Sequence, residues 1–280
     1  MSSASIRTRA ARSALCAGQR PIHQTINNCN LLGADCTRSA DLSVGFGAAV
    51  SEAAYQEKTT STAGTGEDRS RELQTNSFRL LPDQYLPQSH RKDLIVLHFT
   101  AGTSCESAYR TWAGNPDRIA TAFGVDPDGS IAEFFPPECW AYHLGVKGTH
   151  RHDQRSIGIE IANVGPLKPA PDDPAQLNWW PRNWGARYCR AEEQERYLRH
   201  SYRGIDFFAT MPEIQQQAVG ALVGRLCDEF SIPRVASLAA RRGEFDPQAF
   251  NGYSGVATHS NFRRDKWDVG PAFHWDHLGF

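Results

Sequence analysis

The 280-residue chain lacks the features of several large protein classes. No apolar run approaches the roughly 18 residues needed to cross a bilayer, so we predict no membrane span. Thirty basic and thirty-one acidic residues leave a net charge of −1. That balance argues against nucleic acid as a partner held by bulk charge. The string His-Glu-x-x-His is absent, which excludes a metalloprotease of that kind.

Cysteine usage and the first residues bear on the compartment. The seven cysteines form no Cys-x-x-Cys pair, which argues against a zinc ribbon or a redox motif. Their odd count argues against a full disulfide framework, so we favour free thiols, with a single disulfide as the alternative. The first twenty residues carry arginines but no continuous apolar segment of a secretory signal. Cytoplasm and cell envelope both remain open as locations.

The N-terminal quarter differs from the rest of the chain in polarity and in hydrophobic periodicity. Residues 1–76 show no sustained periodicity, and their last twenty residues are almost wholly polar, which is typical of a flexible linker. We therefore predict a disordered extension over 1–76 and a catalytic domain over 77–280. Hydrophobic residues make up 40% of the chain, enough for a sizeable core in that domain.

Strands and helices alternate within residues 77–280. The apolar run Leu94–Phe99 and the alternating segment Ser156–Ala162 predict strands. The turn Asp126–Gly129 predicts a hairpin. Apolar residues at helical spacing predict a long helix over Pro212–Phe230. These elements predict a three-layer α/β/α domain over a mixed, mainly central sheet.

Three side chains have the chemistry of a hydrolytic zinc site. His98 lies at the end of an apolar strand, where Thr-Ala-Gly turns the chain away and a cleft can form. His259 and Asp268 lie nine residues apart on a loop rich in turn residues. Two imidazoles and a carboxylate would bind Zn²⁺ and leave one coordination position open. The alternatives are structural histidines and, for Asp268, a turn or cap residue.

Three further side chains are candidates for the chemistry. Glu160 on a buried strand suits a general base, with an ion pair to Arg155 as the alternative. Lys266 projects to the same side as Asp268 in an extended segment and suits a developing oxyanion, unless it is an ordinary solvated lysine. His143 suits a third imidazole ligand in place of Asp268, a substrate-binding group or a core histidine.

Four motifs occur in one order and together resemble a known family. They are His-x-Thr-Ala-Gly, Trp-Ala-Tyr-His-Leu-Gly, Ser-Ile-Gly-Ile-Glu-Ile-Ala-Asn and Lys-x-Asp-x-Gly-Pro-x-Phe-x-Trp. The order resembles the type 2 N-acetylmuramoyl-L-alanine amidases, which include peptidoglycan recognition proteins and phage lysozyme-amidases. The similarity spans about residues 92 to 277. It departs from the family pattern at three positions: Thr121, Ala122 and Val269.

The resemblance implies an activity and a role for each site residue. His98, His259 and Asp268 would bind Zn²⁺, Glu160 would be the catalytic carboxylate, and Lys266 would assist it. His143 would lie near the substrate. The reaction would be hydrolysis of the amide between N-acetylmuramic acid and L-alanine, in peptidoglycan or in soluble muropeptides.

Two other functions remain open from the sequence. One is a non-catalytic peptidoglycan-binding module, and the other is a zinc hydrolase of a different peptide amide. Residues 166–206 form a polar and aromatic insertion, which is typical of either a functional lid or a structural cover.

Overall fold

The computed structural model describes residues 75–76, 78–180, 186–236 and 241–280. The strands and helices in that part of the chain are β1 Thr75–Asn76, β2 Leu94–Phe99, α1 Cys105–Ala113, β3 Phe123–Val125, β4 Ile131–Glu133, α2 Arg151–Arg155, β5 Ser156–Ile161, β6 Pro166–Pro169, β7 Gln176–Trp179, β8 Arg187–Arg190, β9 Tyr197–Tyr202, β10 Ile205–Ala209, α3 Glu213–Phe230, α4 Pro247–Phe250, β11 Gly255–Thr258 and α5 His259–Phe262.

The central sheet is mixed, as predicted. Its strand order is β1-β4-β3-β5-β2-β11. Strands β3, β5, β2 and β11 run parallel, whereas β4 pairs antiparallel with β3. β2 and β5 lie in the middle of the sheet and are almost completely buried, which explains the apolar run of β2.

Alternate residues of β2 face different layers of the domain. Ile95 and Leu97 belong to the main core, together with the buried stripe of α3. Leu94 and Val96 point the other way and pack with residues of α4 and α5 in a smaller core. The central sheet therefore has helices on both faces, and His98 lies on the same face as Leu94 and Val96.

Helix α3 matches the predicted helix, with one correction to its buried stripe. Leu222, Val223 and Leu226 are buried as predicted. Ile214, which the helical spacing also placed on that stripe, is 46% exposed because the buried face runs through Gln215, Val219 and Leu222, and Ile214 points away from it. Gln215 is buried instead, and its side-chain amide donates hydrogen bonds of 3.0 Å to two strand-end carbonyls. These bonds tie the start of α3 to the central sheet.

The predicted insertion is a second sheet. Strands β6 to β10 form a five-stranded antiparallel sheet in the order β8-β7-β6-β10-β9. It has a small core of its own, composed of Val164, Leu167, Leu177, Cys189 and Ala209. The sequence indicated an insertion but not this sheet, because its short strands lack a regular alternation of apolar and polar residues.

The predicted N-terminal extension lies outside the described residues, except for strand β1. Thr75 and Asn76 pair in parallel with Ile131 and Ala132 of β4. The boundary at residues 76 and 77 stays a prediction. Within the described part of the chain, no helix is both long and apolar enough to cross a membrane.

Candidate active site

Sheet register places the two strand-borne candidates side by side. His98 of β2 and Glu160 of β5 are direct neighbours across the parallel ladder. Neighbouring residues in register point to the same face of a sheet, so both side chains project from the face that α4 and α5 cover. The sequence predicted both strands, and their pairing now brings the imidazole and the carboxylate together.

His259 is held at the start of α5 by a helix cap. Strand β11 pairs with β2 and ends at Thr258, next to Leu97. Thr258 and Asn261 form a capping box. The side chain of Thr258 accepts a hydrogen bond from the backbone N–H of Asn261, and the side chain of Asn261 accepts one from the backbone N–H of Thr258. The strand therefore passes directly into the helix, and His259 follows at the strand end beside His98.

The three predicted metal ligands meet at one point. Nδ1 of His98 lies 3.0 Å from Nδ1 of His259 and 3.3 Å from Oδ2 of Asp268. Nδ1 of His259 lies 3.0 Å from the same carboxylate oxygen. The residues are only 2%, 5% and 6% exposed. Within the described residues, these three form the group whose donor atoms are close enough to share a metal ion.

The hydrogen bond of His259 fixes its tautomer. Its Nε2 faces the carbonyl oxygen of Leu144 at 3.0 Å. A carbonyl only accepts, so Nε2 carries the hydrogen, and Nδ1 of the neutral ring keeps its lone pair.

A longer chain of hydrogen bonds gives His98 the same tautomer. The hydroxyl of Ser156 donates to the carbonyl of His152 at 2.6 Å. Ser156 Oγ therefore accepts from Nε2 of His143 at 2.8 Å, and Nδ1 of His143 accepts from Nε2 of His98 at 2.9 Å. Nδ1 of His98 is left with a lone pair. Both imidazoles therefore direct lone pairs at the same point as the carboxylate.

Burial keeps the rings of His98 and His143 neutral. It lowers the pKa of His98 to about 4, with His259 acting in the same direction. Burial, followed by the two neighbouring imidazoles, also holds the pKa of His143 well below its ordinary value. Near neutral pH the site therefore offers the neutral imidazole of His98 beside the side chain of Asp268.

Two buried charged residues that we did not single out in the sequence hold the segment around His143. The carboxylate of Asp153 accepts hydrogen bonds from the backbone N–H groups of His143 and Leu144, at 3.0 and 2.9 Å. The ammonium of Lys92 donates to the carbonyls of Cys139, Gln154 and Ser156, at 2.7, 2.8 and 3.1 Å. Their partners lie in other segments of the chain, so no local pattern in the sequence signalled these bonds.

Gly158 makes room for this arrangement. It precedes Glu160 by two residues and so lies on the same face of β5. A Cβ at that position would lie 3.2 Å from Nδ1 of His143 and 2.7 Å from a methyl carbon of Thr121. A glycine there lets the His143 ring pack directly against the strand, behind His98.

The other two candidates also lie near the triad. Glu160 is partly buried, and its charge contributes to the raised pKa of the Cys105 thiol after burial and Asp126. Lys266 is half-buried on the loop that leads to Asp268, and its charge contributes to the lowered pKa of His98. Glu160 therefore neighbours His98 in the sheet, and the charge of Lys266 acts on the His98 ring.

Comparison with known families accounts for this geometry. The family model described as N-acetylmuramoyl-L-alanine amidase matches residues 88–271. The chain belongs to this family. The match confirms the resemblance found in the sequence, and it confirms the prediction that the chain is an enzyme, a peptidoglycan amidase.

Solved structures of other amidases are similar to this amidase at low identity. The complex of the amidase AmiD from E. coli with anhydro-N-acetylmuramic acid-L-Ala-D-gamma-Glu-L-Lys is 18% identical, covers 69% of this chain and 58% of its own, and has a TM-score of 0.42. An AmpD derivative is 18% identical over 72% and 92% of the two chains, with a TM-score of 0.38. The structure of PlyL is 13% identical over 68% and 82%, with a TM-score of 0.40. No curated protein matches the chain.

Proposed function

We propose that this amidase uses Zn²⁺ to hydrolyse the amide between N-acetylmuramic acid and L-alanine, in peptidoglycan or in muropeptides. The observation that carries the proposal is the convergence of three buried lone-pair donors, those of His98, His259 and Asp268, at 3.0 to 3.3 Å from one another. Family membership supports the identity of the bond that is cut.

The donor set fits zinc in both geometry and charge. Ligand atoms at about 2.0–2.1 Å from a tetrahedral zinc lie about 3.3–3.4 Å apart. The three distances between the donors are close to that value, and only a cation relieves the repulsion of three lone pairs in so small a space. Two neutral imidazoles and one carboxylate leave a net charge of +1 with zinc and one coordination position open.

The residues around the donors suit amide hydrolysis. Bound zinc would polarise the scissile carbonyl and lower the pKa of a water molecule toward about 7. Glu160, in register with His98, is placed to take the proton of the attacking water and return it to the leaving amine. Lys266 carries the positive charge that stabilises the developing oxyanion.

His143 has a positioning role in this proposal. The sequence-based expectation was that it contacts substrate, and that expectation stays a prediction. Its side chain is 5% exposed, and its ring nitrogens bond His98 and Ser156. These bonds orient the His98 ring and fix its tautomer, as partners behind metal-binding histidines commonly do.

The test is digestion of purified muropeptides with products identified by mass. The enzyme should release the intact stem peptide beginning with L-alanine, a chelator should stop the reaction, and added zinc should restore it. Glu160→Gln should bind the muropeptide without cutting it. Cleavage at another amide would point to a different substrate, and cleavage that survives complete metal removal would refute the zinc proposal.

A further inference from the structure

Arg203 of the inserted sheet contacts the loop that carries the proposed catalytic lysine and the third metal ligand. We name residues 260–268 the metal loop. Nη1 of Arg203 donates hydrogen bonds to the carbonyls of Lys266 at 2.7 Å and Arg264 at 3.0 Å. Nη2 donates to the carbonyl of Ser260 at 3.2 Å. One guanidinium therefore holds the metal loop near its start and again just before Asp268.

The same guanidinium joins the metal loop to a third segment. Nε and Nη2 of Arg203 donate to the carbonyl of Gly243, at 3.1 and 2.7 Å. The hydroxyl of Tyr202 donates to that carbonyl at 3.0 Å. The planar fork of arginine, with five N–H donors, suits several carbonyls at once in a way that an ammonium does not.

The backbone conformation of Arg203 does not favour arginine, which indicates that this position depends on the contacts of the side chain. Arg203 and Gly204 are the two loop residues between β9 and β10, with φ angles of 50° and 76°. Two positive φ angles are what a type I′ hairpin turn requires, and its first position favours asparagine, aspartate or glycine. Arginine is a poor residue for this turn, since a Cβ disfavours positive φ.

A second contact joins the insertion to the metal loop. Trp180, directly after β7, packs edge-to-face against Trp267, with ring centroids 4.8 Å apart at 83°. The indole N–H of Trp267 donates to the backbone carbonyl of Arg203 at 3.3 Å. Trp267 lies between Lys266 and Asp268, so the inserted sheet contacts the loop at the residue that separates its two functional side chains.

We propose that Arg203 is a positioning residue of the active site, which fixes the metal loop so that Asp268 and Lys266 point at the reacting centre. The inference rests on the proposed zinc chemistry. It gives the insertion a role different from the lid or passive cover suggested by the sequence: the insertion sets the geometry of a loop on which two site residues depend. Arg203 acts through backbone carbonyls of the metal loop and is not one of the proposed metal ligands.

The test compares Arg203→Ala and Arg203→Lys with Arg199→Ala in the full-length enzyme. Arg199 lies on the preceding strand, β9, is exposed, and stacks on Phe207, so it is the matched control. Three quantities are measured: the zinc dissociation constant by competition with a chromophoric chelator, kcat and KM on a muropeptide, and the thermal unfolding midpoint.

Arg203→Ala should weaken zinc binding by about 10- to 100-fold, the usual effect of removing a residue that orients a ligand. Its kcat at saturating zinc should fall with little change in KM. Arg203→Lys should recover part of both losses, and Arg199→Ala should match the wild type.

A lower unfolding midpoint with unchanged zinc affinity and kcat in the folded variants would overturn the inference, because Arg203 would then act on stability alone. If Arg203→Ala does not fold, the same comparison is made with Arg203→Lys. Wild-type enzyme that binds no zinc would refute the proposed function, and this inference with it. Wild-type zinc binding that the Arg203 variants share in full would refute only the inference.

Discussion

Zinc should stabilise the folded domain by an amount that thermal unfolding can measure. The donors of His98, His259 and Asp268 already lie 3.0–3.3 Å apart, so binding requires little rearrangement. The unfolded chain has no such site, and binding free energy therefore adds to folding free energy. At free zinc of about 1,000 times the dissociation constant, the gain is about 4 kcal/mol. For a domain of about 200 residues that raises the unfolding midpoint by about 8–16 °C.

The assay is differential scanning calorimetry of chelator-treated enzyme with and without buffered zinc, alongside metal analysis of the same samples. His259→Ala should lose the increment, since it removes one donor. His200→Ala is the control, because His200 is exposed on β9 and lies outside the donor set. An equal increment in His259→Ala and wild type would show that zinc binds elsewhere. No increment and no bound zinc in active wild-type enzyme would refute the reasoning.

Three other perturbations should give distinct results. Glu160→Gln should keep its zinc and its unfolding midpoint but lose about 10²–10⁴-fold in kcat, since an amide cannot accept the water proton; wild-type turnover would make Glu160 structural. Lys92→Met should lower the free energy of unfolding by about 2 kcal/mol in urea titration, because three carbonyls, two of them in buried hydrogen bonds, lose their donor; an unchanged midpoint would mean that water replaces the ammonium. Removal of residues 1–70 should leave muropeptide cleavage near the full rate, because every proposed site residue lies beyond it; an insoluble or inactive product would show that the extension packs on the domain.

The sequence predicted the parts of the site that depend on local pattern. The alternation of Ile157, Ile159 and Ile161 placed Glu160 on the opposite face of the strand from the three isoleucines, and the structure has it there. The continuous apolar run Leu94–Phe99 predicted the buried strand that carries His98. Register is a property of two strands, so their adjacency could not be derived from either segment alone.

The parts that the sequence did not predict depend on contacts between distant segments. Asp153 and Lys92 bond backbone groups of other loops, and no spacing within one element signals such bonds. Arg203 follows the same rule, since its partners lie about 40 to 63 residues away. The strands of the insertion were missed because their burial is set by a small separate core, so no regular alternation appears along the chain.

The position of β11 at the edge of the central sheet has a consequence for how the enzyme is made. β11 pairs with β2 although the two strands are far apart in the sequence: His98 at the end of β2 and His259 after β11 are separated by 161 residues. Contacts so distant along the chain form late in folding. During synthesis β2, whose sequence is Leu-Ile-Val-Leu-His-Phe, therefore has one edge without its partner until β11 emerges. A ribosome that stalls before residue 255 would release a chain with an open apolar strand edge, which favours aggregation over a soluble, inactive enzyme.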